Sequence, residues 1–87
     1  MEMKKVQFTR LANAQLDEWK TNDLKIYNRI EQLIDAIQED PYHGIGKPEP
    51  LKYEFSGYWS RRITKVHRLI YKVMVDTIII YACKYHY

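Results

Sequence analysis

Three groups of side chains in this sequence have the types and spacing to do chemistry on a phosphate ester. The first lies in GKPEPLK, where Glu49 stands between Pro48 and Pro50, with Lys47 before it and Lys52 after it. Proline fixes its own φ and pushes the residue before it towards extended backbone, so a carboxylate bracketed in this way is positioned. The second is Arg61, Arg62 and Arg68, on two stretches that read as a hairpin. A three-residue loop at Thr64, Lys65 and Val66 sets Arg62 opposite Arg68; a two-residue loop sets Arg61 there. Either way two guanidinium groups oppose each other across a ladder, which is unfavourable unless an anion lies between them. The third is the ending, YHY, in which His86 titrates nearest to neutral pH and Tyr85 and Tyr87 offer rings for stacking or packing. A carboxylate, arginines, lysines and a histidine on one end of a sheet suffice to cleave a phosphodiester without a metal. A base takes the proton of a ribose 2′-OH, cations hold the phosphate, and an acid protonates the departing 5′-oxygen. DNA lacks the 2′-OH, so this chemistry selects RNA.

The elements that must carry these groups follow from periodicity. Residues 3–8 read as a first strand. Thr9 is placed to cap a helix in which Ala12, Leu16 and Trp19 share a face. KTND breaks that helix, and Asn22 or Asp23 caps a second with the stripe Tyr27, Ile30, Leu33, Ile34 and Ile37. A helical hairpin is thus expected over residues 10–39, ended by Asp40-Pro41. PYHGIGKPEP, residues 41–50, reads as a proline-stiffened loop. Strands are expected at 51–55, 58–63, 67–74 and 77–85, with turns at Ser56-Gly57 and Val75-Asp76. Two helices and then a run of hairpin-connected strands predict an α+β fold, with the helices on one face of a mostly antiparallel, twisted sheet and the other face left as a working surface.

Composition agrees with a folded unit and excludes several classes. The chain has 87 residues, is 46% apolar, and contains eight Tyr and two Trp, which suits one globular domain over residues 1–87. No apolar run approaches the roughly 18 residues a membrane helix needs. The start, MEMKKVQFTR, lacks the apolar core of a secretory signal, and one cysteine forms no internal disulfide; both lead us to expect a cytoplasmic protein. Charge is uneven: residues 1–43 hold six Lys and Arg against eight Asp and Glu, residues 44–87 eight against three. The basic half suits a polyanion or a solvated basic face. GIGK lacks the spacing of a phosphate-binding loop. Cys83 and His86, three apart on a strand, point to opposite faces and do not read as a zinc pair, so Cys83 is expected in the core.

The stretches GKPEPLK, SGYWSRRIT, HRLIY and the terminal YHY, in this order and over essentially the whole chain, closely resemble YoeB-type toxins of the RelE/ParE-like group of bacterial toxin–antitoxin proteins. The resemblance implies a RelE-like fold and a metal-independent, cofactor-free endoribonuclease that cuts mRNA in the A site of the 70S ribosome. By motif, Glu49 is then the general base, His86 the general acid and Arg68 the transition-state stabiliser. Arg62 and Lys52 are supporting phosphate contacts, with Tyr87 beside them and Lys47 and Arg61 counted among the cations facing substrate. The Arg62/Arg68 pairing favours the three-residue loop. A YefM-like antitoxin is implied as partner, with operator DNA bound only through the antitoxin complex, and a homodimer, for which Trp19, Tyr27 and Tyr42 are candidate interface aromatics. Two positions depart from the pattern: Lys84 stands where an arginine is expected, and Lys65-Val66 where acidic residues are expected. Rival readings are an RNase that needs no ribosome, a toxin that blocks gyrase or a ribosomal step without cutting, and a plain nucleic-acid-binding module.

Overall fold

The computed structural model describes residues 3–85. The chain runs β1 (Lys5–Phe8), α1 (Arg10–Asn22), α2 (Leu24–Glu39), β2 (Glu49–Pro50), a 3-10 turn (Tyr53–Phe55), β3 (Tyr58–Arg62), β4 (Arg68–Val73) and β5 (Thr77–Ala82). The strands form one sheet in the order β1-β5-β4-β3-β2. β1 lies parallel to β5, and the other pairs are antiparallel. This is the expected α+β arrangement.

Local chemistry explains the helix ends. The Thr9 hydroxyl oxygen accepts from the Ala12 N–H at 3.0 Å, capping α1, while the hydroxyl donates to the Tyr81 carbonyl at 2.7 Å. One side chain therefore starts the helix and ties it to β5. Asp23 alone separates the helices. Its N–H donates to the Trp19 carbonyl at 2.8 Å and its carboxylate accepts from the Ile26 N–H at 3.2 Å. So small a joint keeps the two helices in contact with each other. Asp40 ends α2, and its carboxylate accepts from the Tyr42 and His43 N–H groups at 3.0 and 3.2 Å. The Tyr42 N–H does most to hold the Asp40 carboxyl below its usual range, with His43 assisting.

The expected stripe of α2 is the centre of the core. Ile30, Leu33 and Ile37 are fully buried against Leu69, Tyr71, Ile78 and Ile80 of the sheet, with Ala12 of α1 and Cys83 completing the cluster. Each such aliphatic side chain contributes about 1.5–3 kcal/mol by leaving water. Burial alternates along β5, so Ile78 and Ile80 face the helices and Thr77, Ile79 and Tyr81 face the other way.

The strand expected at 51–55 is absent. β2 comprises only Glu49 and Pro50, inside the stretch expected to be loop, and Leu51 adds one further bond, its N–H to the Tyr58 carbonyl at 2.8 Å. Pro48 and Pro50 have no N–H to donate, which confines this segment to a short edge. The chain then turns away at Tyr53, which is left-handed at φ +59°. β5 is also shorter than expected, ending at Ala82. The Cys83 N–H goes to the Gln15 side chain at 2.7 Å and its carbonyl accepts from the Trp19 indole at 2.9 Å, so α1 takes the groups that would continue the ladder.

Candidate active site

Strand register decides which charged side chains share a face. Glu49 lies opposite Ser60, and Arg62 opposite Arg68. The β3–β4 hairpin closes with Ile63 bonded to His67, leaving the three-residue loop 64–66. Residues paired across an antiparallel ladder point the same way, and neighbours along a strand point oppositely. Glu49, Ser60, Arg62, Arg68 and Ile70 therefore belong to the face turned away from the helices. Glu49 and Arg62 are diagonal neighbours, typically about 7–8 Å apart. The edge position leaves Glu49 half-exposed, with the Lys47 ammonium 3.8 Å from its carboxylate. Lys52 is exposed just before the 3-10 turn. The guanidinium of Arg68 lies against the β3–β4 loop, its Nη1 donating to the carbonyls of Thr64, His67 and Lys65 at 2.9, 3.2 and 3.3 Å.

Arg61 is not part of this face. It is fully buried on the helix side of the sheet. Its Nη2 donates to the carbonyls of Asp40 and His43 at 2.6 and 3.0 Å, its Nη1 to Ile45 at 3.1 Å and its Nε to the Tyr71 hydroxyl at 3.2 Å. Tyr71 in turn donates to the Pro41 carbonyl at 2.6 Å, and burial raises its hydroxyl pKa against the opposing pull of Arg61. The expectation that Arg61 contacts substrate is thus corrected. A three-residue loop sends Arg62 outwards, and alternation then sends Arg61 inwards. Its donors bind the loop 40–45, and so fix the path by which the chain reaches Glu49. Gly46 closes that path: its carbonyl accepts from the Arg62 N–H at 2.6 Å, and a Cβ there would lie 2.7 Å from the Leu33 side chain.

Several residues that matter for this geometry were not singled out from sequence. Gln15 is a buried polar side chain that serves Cys83. Tyr53 is an 87% exposed aromatic on left-handed backbone beside Lys52. Phe55, Tyr58 and Tyr81 pack edge to face with centroids 5.4–6.1 Å apart, and the Lys72 ammonium lies 5.3 Å from the Tyr58 ring. Sequence offered one signal for this cluster, since Tyr58 and Tyr81 occupy outward positions of adjacent hairpins. His67 had none, because its partner is 18 positions away. Of the candidate interface aromatics, Trp19 is half-buried against the core, Tyr27 is half-buried, and Tyr42 is exposed with its ring 4.9 Å from Trp59.

His86 and Tyr87 lie outside the described residues. The last described residue, Tyr85, sits at the Arg68 end of β4, with its carbonyl accepting from the Arg68 N–H at 3.0 Å. Lys84, the departure from arginine, pairs with Glu18 of α1 at 2.8 Å, and that bond raises its pKa. Cys83 is in the core as expected; burial pushes its thiol up to about 12, which withholds the thiolate that binds metals.

The arrangement is thus an open sheet face with one edge carboxylate, a facing arginine pair and exposed lysines, able to hold an anion beside a base. Comparison with known proteins identifies its kind. Residues 8–87 match the family model for the YoeB-like toxin of the bacterial type II toxin–antitoxin system. Toxin YoeB of Synechocystis is 48% identical over 83 residues, covering 95% of this chain and 96% of the relative. The structure of the YoeB dimer from Staphylococcus aureus superposes with a TM-score of 0.92 at 39% identity, covering 99% of this chain and 100% of that one. The YoeB chain in the heterotetrameric YoeB–YefM complex from the same organism gives 0.89, also at 39% identity and with the same coverage. With its fold and its sequence in agreement, this chain belongs to the YoeB-like toxins of bacterial type II toxin–antitoxin systems.

Proposed function

We propose that this toxin is a ribosome-dependent endoribonuclease that cleaves mRNA in the ribosomal A site by acid–base chemistry on the ribose 2′-OH. The observation that carries the reading is the register that puts Glu49 and the Arg62/Arg68 pair on one open face. Glu49 takes the 2′-OH proton as the 2′-oxygen attacks phosphorus. Arg68, with Arg62 and Lys52, holds the phosphoryl oxygens as charge builds on them. His86 gives its proton to the 5′-oxygen as the P–O5′ bond breaks, and Tyr87 contacts the same phosphate region. The products are a 2′,3′-cyclic phosphate and a 5′-hydroxyl. No step needs a metal.

Two features of the site give the ribosome a role. Glu49 is half-exposed, and a solvated carboxylate is a weak base for a hydroxyl. Arg68 is turned onto the β3–β4 loop, so substrate must compete for part of its guanidinium. A surface that orders the RNA and excludes water from this face supplies both corrections. Cleavage of naked RNA is therefore expected to be slow. By extension from the S. aureus complex, a YefM-type antitoxin neutralises the toxin, an acidic segment of it folding over the basic face. The same extension gives a dimer, with operator DNA reached through the antitoxin.

Mapping mRNA 5′ ends by primer extension in a purified translation reaction tests this reading, with and without ribosomes, for wild type and His86→Ala. The proposal requires cuts that need both the ribosome and His86. Toxicity without cuts, persisting in Glu49→Ala and His86→Ala, would establish a toxin that binds and blocks.

A further inference from the structure

The segment after β5 is held by two different elements. Residues of α1 take Cys83 and Lys84, through Gln15, Trp19 and Glu18. Tyr85 is held by the start of β4: its N–H donates to His67 Nδ1 at 2.8 Å and its carbonyl accepts from the Arg68 N–H at 3.0 Å. Both backbone polar groups of Tyr85 are thus engaged by consecutive residues. Its φ is +66°, a left-handed conformation that is unfavourable by about 1–2 kcal/mol for a residue with a Cβ. Such a conformation persists where its surroundings over-determine it, and it clusters at functional sites.

The bond also fixes the state of the histidine. An N–H donor is met only by a ring nitrogen that carries a lone pair, so Nδ1 is unprotonated and the ring hydrogen sits on Nε2. The Trp19 ring stands edge-on to the imidazole with centroids 4.8 Å apart, and the Tyr85 ring lies 5.9 Å away on another side. His67 is half-buried between them. The ring is held in plane as well as in tautomer, which suits it to aim a backbone.

We propose that His67 is a positioning residue of the nuclease site: by accepting from the Tyr85 N–H it fixes Tyr85, the residue that precedes His86 in the sequence, against the backbone of Arg68. The inference rests on the nuclease reading and adds a role to it. His67 acts through Tyr85 and transfers no proton. The clasp ties the described end of the chain to the arginine pair: Arg68 carries the guanidinium on its side chain and holds Tyr85 with its own N–H.

The test uses the full chain, as wild type, His67→Leu and His67→Asn. Asparagine places its Oδ1 close to the position of Nδ1 and keeps the acceptor. Two readouts come from the free protein: the His67 tautomer, by long-range proton–nitrogen NMR correlation, and hydrogen exchange of the Tyr85 amide. The third is single-turnover cleavage on the ribosome. Wild type is expected to show the Nε2–H tautomer and a protected Tyr85 amide. His67→Leu should lose that protection and cleave about 10- to 100-fold more slowly with ribosome binding unchanged. His67→Asn should restore most of both. An Nδ1–H tautomer or an unprotected Tyr85 amide in wild type overturns the proposal, as does a Leu variant at the wild-type rate or an Asn variant that rescues nothing. Should His67→Leu fail to fold, the wild-type spectra and the Asn variant decide. A missing clasp alongside cleavage that needs His86 defeats this inference alone; cleavage indifferent to His86 defeats the nuclease reading, with exchange unaffected.

Discussion

Arg61 and Arg62 are adjacent in sequence and point to opposite sides of the sheet. Arg61 is a buried cation whose donors meet neutral carbonyls and a hydroxyl, and such an ion is tolerated only while those partners are in place. Lysine carries the charge without the fork. Arg61→Lys is therefore expected to lower stability by about 2–4 kcal/mol, and Arg62→Lys, on the exposed face, by less than about 0.5 kcal/mol; urea unfolding measures both. Cys83 gives a second prediction at this scale. Its thiol is held up to about 12 in the fold, while an unfolded thiol ionises near about 8.5. Between these values the unfolded chain loses a proton that the folded chain keeps, so stability falls as pH rises. Thermal melts at rising alkaline pH should show this slope in wild type and a shallower one in Cys83→Ala. Alkylation of native Cys83 at pH 8 should be about a thousandfold slower than in the unfolded chain.

At the scale of elements, much of the fold was legible. The helical hairpin, its caps and the stripe of α2 follow from periods and capping residues, because amphipathic pattern and local hydrogen bonding agree there. Three of the four later strands were read to within a few residues. The hairpin register was legible through loop length once Arg62 and Arg68 were required to face each other. The rest was hidden for physical reasons. β2 was missed because a two-residue edge strand flanked by prolines has no alternation to detect. The early end of β5 was missed because its cause, Gln15 and Trp19, lies 68 and 64 residues away. The backbone of the 41–55 segment provides the test at this scale. Gly46 and Tyr53 both have positive φ. Gly46→Ala meets the Leu33 side chain at 2.7 Å and should destabilise by about 1–3 kcal/mol. Tyr53→Gly relieves a strained exposed residue and should be neutral or stabilising by up to about 1 kcal/mol. Denaturant midpoints distinguish the two signs.

At the scale of the whole molecule, the charge asymmetry seen in the sequence becomes spatial. The acidic half supplies the helices that cover one face of the sheet, and the basic half supplies β2 to β5 and the open face. The candidate site was legible to the same extent. Glu49, Arg62 and Arg68 share the face as expected, Arg61 does not, and the expectations for His86 and Tyr87 fall on residues outside those described. Sequence could name the chemical groups because their types and motifs are local, but not the buried loop anchor or the clasp on Tyr85, which are tertiary. In the proposed reaction the carboxylate on this face is the base that opens RNA cleavage. The most direct test is the single-turnover rate of cleavage of mRNA in the ribosomal A site by Glu49→Gln, with ribosome binding measured in parallel. A fall of about 10²- to 10⁴-fold with binding unchanged is expected; a Glu49→Gln rate within about twofold of wild type would remove Glu49 from the role of base.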